Sequence, residues 1–123
     1  MAGRLADAQN QASQAFELSQ HQGEQGHGAY ALRLLGSIAA RRKPPAWEIA
    51  ATHYRQALDR AEALGMRPLA AHCHLGLGTV HFNTGLMEQA HAELATAVEL
   101  YRSMEMAVWL PDAEKALAEL EAR

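Results

Sequence analysis

Shifted by 42 residues, this chain falls back on itself. Ala8-to-Gly36 then lies over Ala50-to-Gly78 without a gap, setting Ala8, Gln14, Ala15, Gly23, Ala29, Leu35 and Gly36 on Ala50, Gln56, Ala57, Gly65, Ala71, Leu77 and Gly78. A shift of 40 sets Ala50, Tyr54, Ala57 and Met66 on Ala90, Leu94, Ala97 and Met106. The two-residue difference falls in the Arg41–Pro45 connection, where insertions cost little. Self-similarity near forty residues marks stacked units, none of which can bury its apolar face alone.

The units are helical. Ala and Leu dominate the apolar residues, aromatics are only 6%, and β-branched residues are few. The periodicity predicts a first helix over Leu5 to Gln22, with Leu5, Ala8, Ala12, Ala15, Phe16 and Leu18 as a thin apolar stripe. Gly23, Gly26 and Gly28 break it. A second helix runs from Gly28 to Arg41, with Gly36 in its middle where a second backbone must come close, and Lys43-Pro44-Pro45 ends it. A third covers Trp47 to Leu64, with Gly65 as its C′ residue and Pro68 opening the next. The fourth covers Pro68 to Asn83, closed by Gly85, and the fifth Met87 to Met104. A sixth starts at Ala107 or Pro111 and reaches Leu120, Pro111 either opening it or kinking it. The expected fold is all-α, a helical-repeat solenoid of about six antiparallel helices in a single domain, 1–123.

Charge and cysteine content narrow the function. A net charge of −3 is unlike a dedicated nucleic-acid binder, which needs a basic face. The run Arg41-Arg42-Lys43 is short and suits a helix C-terminus. One cysteine, Cys73, excludes an internal disulfide and fits a reducing compartment. There is no signal-like N-terminal run and no stretch long enough to span a bilayer, so a cytoplasmic location is expected.

The central pattern Leu77-Gly78, Gly85, Ala90, Leu94, Ala97 resembles the tetratricopeptide repeat, in which small residues let paired helices nest. The preceding unit fits around an insertion, with Leu35-Gly36, Ala50, Tyr54 and Ala57. His81 stands where that repeat favours an aromatic, its closing proline is missing, and the helices are longer. Residues 46–122 also resemble the C-terminal repeats of large bacterial cyclase/ATPase signalling proteins, most specifically in Leu-Gly-Met-Arg-Pro-Leu and His-Cys-His-Leu-Gly-Leu-Gly. No GxxxxGK[ST] loop accompanies that likeness, so it transfers a scaffold and not catalysis. The resemblance implies repeats over 28–64 and 68–104, a partial repeat helix over 5–22 and a capping helix over 107–122. It also implies that the first helix of each pair lines a concave groove. The positions are Tyr30, Arg33, Ser37 and Arg41 in the second helix, and His72, Leu75, Thr79 and Asn83 in the fourth.

Other constellations carry less. His72 and His74 lie two apart, about 200° around a helix, and cannot chelate together. No metal or cofactor is expected. Cys73 lacks an obvious base and suits a buried thiol. The acids are scattered, which gives general acid–base catalysis no pair to work with. Trp47 and Trp109 each stand near a helix start, wedging neighbouring pairs or else anchoring a partner. The leading expectation is a non-enzymatic scaffold binding a peptide or partner helix, with no nucleic acid or membrane. A self-associating homodimeric fragment is the alternative, and an enzyme or a metal or small-molecule sensor comes third.

Overall fold

The computed structural model describes residues 25–122 together with Gln9 and Ser13. The predicted helix over Leu5 to Gln22 otherwise lies outside the described residues. Five helices follow one another among the described residues, with no strand: α1 (Gln25–Ala40), α2 (Trp47–Ala63), α3 (Arg67–Asn83), α4 (Met87–Ser103) and α5 (Leu110–Glu121). None of them is long and apolar enough to cross a membrane. Pro111 opens α5 and Pro68 opens α3, each in the first turn, where a missing N–H costs nothing.

Three turns of one design set the spacing. Gly65 (φ 69°), Gly85 (φ 83°) and Glu105 (φ 55°) follow α2, α3 and α4 in the left-handed conformation. After each, the next N–H reaches back across the end of the finished helix: Met66 to Ala61 O at 2.8 Å, Leu86 to His81 O at 2.9 Å, Met106 to Tyr101 O at 2.9 Å. This is the Schellman closure, which satisfies the orphan carbonyls of a helix end. Met66 and Leu86 then serve as the first residue outside the following helix, with no side-chain cap of their own. So short a link returns each helix antiparallel beside its predecessor.

The helices make two layers. Each packs on the next in sequence, and α3 also touches both α1 and α5, whereas α2 and α4 do not meet. Thus α1, α3 and α5 form one layer, and α2 and α4 the other. The repeating alanines sit at the closest approaches, with Ala50, Ala57, Ala71, Ala90 and Ala97 all 0% exposed. One core joins α1, α2 and α3 through Leu32, Leu35, Tyr54, Leu69 and Leu77; Tyr101 and Leu94 anchor two smaller clusters against α5. Each buried side chain of that size contributes roughly 1.5–3 kcal/mol.

The repeat is visible at atomic level. A β-carbon on Gly36 would stand 3.0 Å from Cγ of Tyr54, and one on Gly78 would stand 2.6 Å from Cγ of Leu94. These are the same pairing in successive units, since the two shifts carry Gly36 to Gly78 and Tyr54 to Leu94. The close neighbour predicted beside Gly36 is a side chain, the Tyr54 ring, so the glycine makes room for an aromatic.

Candidate functional site

The candidate site lies on the layer of α1, α3 and α5. His72 of α3 is half-buried, and its Nδ1 is 2.5 Å from the hydroxyl of Tyr101 on α4. Tyr101 is 0% exposed, so its O–H needs an acceptor, and Nδ1 is the one within reach. Tyr101 therefore donates, and His72 carries its hydrogen on Nε2. Burial, with the nearby Arg33 charge second, pushes the His72 pKa down to about 4, so the ring is neutral. Trp109, just before α5, meets the His72 ring edge-on at a centroid distance of 4.6 Å.

The charge of Arg33, on α1, reaches the same cluster. Its charge acts on Tyr54, His72, Cys73 and Tyr101. Arg33 is half-buried and forms no hydrogen bond or ion pair among the described residues. Burial drives the Tyr101 hydroxyl up to about 12, Arg33 opposing and Asp112 adding to the rise. Burial likewise raises Cys73 to about 12, leaving a neutral, enclosed thiol.

The eight predicted groove positions fare differently. The charge of Arg33 acts on His72. Tyr30 and Arg41 are exposed, and Ser37 hydrogen-bonds the Tyr54 hydroxyl. Leu75 packs into both clusters against α4 and α5, so it belongs to the core. Thr79 and Asn83 are exposed, but their side chains donate to carbonyls of their own helix, Leu75 O at 3.0 Å and Thr79 O at 2.8 Å. Trp47 packs on the first core at the start of α2. Sequence reasoning did not single out Tyr101 or Asp112. A signal existed: Ala61, His81 and Tyr101 recur every 20 residues, each four before a positive-φ turn, and all three are buried.

A hollow of about 330 Å³ lies elsewhere, where α2 ends against α3 and α4, and is lined in part by Arg67, Ala70, His74 and Leu100. Two of its polar side chains are already engaged. His74 Nδ1 donates to the Glu93 carboxylate at 2.5 Å, and Arg67 donates to the Ser103 hydroxyl at 3.0 Å. His72 and His74 thus bind separate partners on separate faces, and no group of three or more metal-ligating side chains gathers among the described residues.

No protein-family model and no curated protein matches this chain.

Proposed function

We propose that the chain is a tetratricopeptide-like stack of six helices that works without catalysis, binding an extended acidic peptide across the layer of α1, α3 and α5. The observation that carries this reading is the half-buried Arg33, without a hydrogen-bonded or ionic partner among the described residues, whose charge acts on a neutral His72 packed on the Trp109 ring. Arg33 offers five N–H donors, His72 its Nε2–H and Trp109 its indole N–H. A surface rich in donors, floored by aromatic rings, suits a carboxylate with a planar or apolar neighbour. Helical stacks commonly bind through the surface of one helix layer.

The test is a random peptide library panned against the chain. Acidic sequences should be enriched, and the amides they protect from exchange should lie on α1, α3 and α5. Enrichment of basic or neutral sequences, or protection confined to α2 and α4, would refute the reading.

Self-association is a second reading, favoured by Val108, which is 81% exposed next to the partly exposed Trp109. Light scattering on the eluting protein distinguishes the two: a dimer that Val108→Asp dissociates would favour self-association.

A further inference from the structure

We infer, on the peptide reading just given, that the ligand carries large apolar side chains beside its acids and seats them on Tyr30 and Leu34 of α1. The large apolar residues of α1 divide into two sets. Leu32, Leu35 and Ile38 are buried in the first core. Tyr30 and Leu34 are 51% and 45% exposed, and a spacing of four residues puts them on one face, a turn apart. Arg33 and Arg41 fall on the same face, three and eleven residues after Tyr30. Single exposed apolar side chains are ordinary; a pair one turn apart, on a face that also presents cations, suits a ligand with both characters.

Charge selects the occupant. Residues 25–43 hold four of the eleven Lys and Arg and none of the fourteen Asp and Glu, although the chain as a whole carries −3. In the same layer α5 is the reverse, with Asp112, Glu114, Glu119 and Glu121 against Lys115 alone. Acids of a ligand are therefore drawn to α1 and repelled by α5. That sets them where Tyr30 and Leu34 are open. The two characters also reinforce each other. A carboxylate gains little from an arginine in water. Apolar side chains seated on Tyr30 and Leu34 exclude water from around the half-buried Arg33, and the ion pair strengthens as its surroundings dry.

Two synthetic peptides of equal length and charge provide the test, repeats of Asp-Leu-Asp-Gly and of Asp-Ser-Asp-Gly. They are titrated into wild type, Tyr30→Ser, Leu34→Ser and Leu86→Ser. Leu86 is as exposed as Leu34 but stands in the turn before α4, so it reports the loss of any surface leucine. Wild type should bind the Leu peptide at least about tenfold more tightly than the Ser peptide. Tyr30→Ser and Leu34→Ser should each cut that advantage several-fold, with helicity retained by circular dichroism and Leu86→Ser matching wild type. Tyr30→Phe and Leu34→Met, which keep an apolar side chain, should preserve it. Equal affinities of wild type for the two peptides would overturn the inference and leave the acidic-peptide reading standing; binding of neither would overturn both. An advantage that survives Tyr30→Ser and Leu34→Ser would overturn it too, because the apolar contact would lie elsewhere. So would a dimer in light scattering that both substitutions dissolve, since a second copy would then occupy the stripe.

Discussion

Gly76 of α3 and Tyr54 of α2 share one volume: a β-carbon on the glycine would lie 2.4 Å from the Tyr54 ring, inside any real contact distance. Tyr54 is held on its other side by Gly36 of α1, where a β-carbon would lie at 3.0 Å. One ring therefore spaces three helices.

Gly76→Ala should destabilise the chain although alanine is the better helix former. Overpacking of about 1–3 kcal/mol outweighs a propensity gain of about 1 kcal/mol. At Gly36 the contact is looser and the two effects nearly cancel. Urea unfolding should rank Gly76→Ala well below Gly36→Ala, and Tyr54→Leu should recover part of the Gly76→Ala loss in a double-mutant cycle. Equal midpoints for the two single variants would contradict the wedge.

Glu105 holds a left-handed conformation that Gly65 and Gly85 occupy in the two equivalent turns. A side chain there costs about 1 kcal/mol. Glu105→Gly should raise the thermal midpoint by a few degrees, and Gly85→Glu should lower it comparably. Scanning calorimetry reads both.

Burial depresses the pKa of His72 to about 4 and lowers those of His53 and His81 below the ordinary 6.5. Between about pH 6.5 and 4 the unfolded chain binds more protons at these sites than the folded one, so stability rises with pH. It is fully present above about 6.5, falls as the pH drops through that window, and levels off for His72 below about 4. For His72 the loss is on the order of 2 kcal/mol after allowing for partial solvent exposure. His72→Gln, which still accepts from Tyr101, should flatten the stability–pH curve across this window relative to wild type. An unchanged slope would place the His72 ring in water.

Cys73 is 0% exposed, and burial lifts its thiol to about 12. A thiol reagent at neutral pH should label it only as fast as the native state opens. Rapid labelling of the folded protein would show that the first core is not closed.

Much of the fold was legible because it rests on local features. Alanines at 40- and 42-residue intervals marked the closest helix approaches, and Ala29, Ala50, Ala57, Ala71, Ala90 and Ala97 are all buried. Gly65 and Gly85 marked turns, since a left-handed residue there strongly favours glycine. Glu105 hid the third turn for the same reason, being a residue that rarely adopts this conformation. The candidate site was legible only in part. Arg33 and His72 share one layer by the repeat register, but Tyr101 reaches His72 from α4 across the helix pair, a contact no spacing along α3 encodes. Thr79 and Asn83 fell on the expected helix, yet hydrogen bonds to the preceding turn, open to any such side chain at a helix surface, engage their polar groups.

The groove is tested most directly by titrating one acidic peptide from the panned library into wild type, Arg33→Glu and Arg102→Glu. Arg102 is an exposed arginine of α4 paired with Glu114 at 3.2 Å, so it reports the effect of charge reversal alone. Arg33→Glu should weaken binding at least about tenfold, a loss of about 1.4 kcal/mol or more, with Arg102→Glu close to wild type. Equal affinities for wild type and Arg33→Glu would contradict the account.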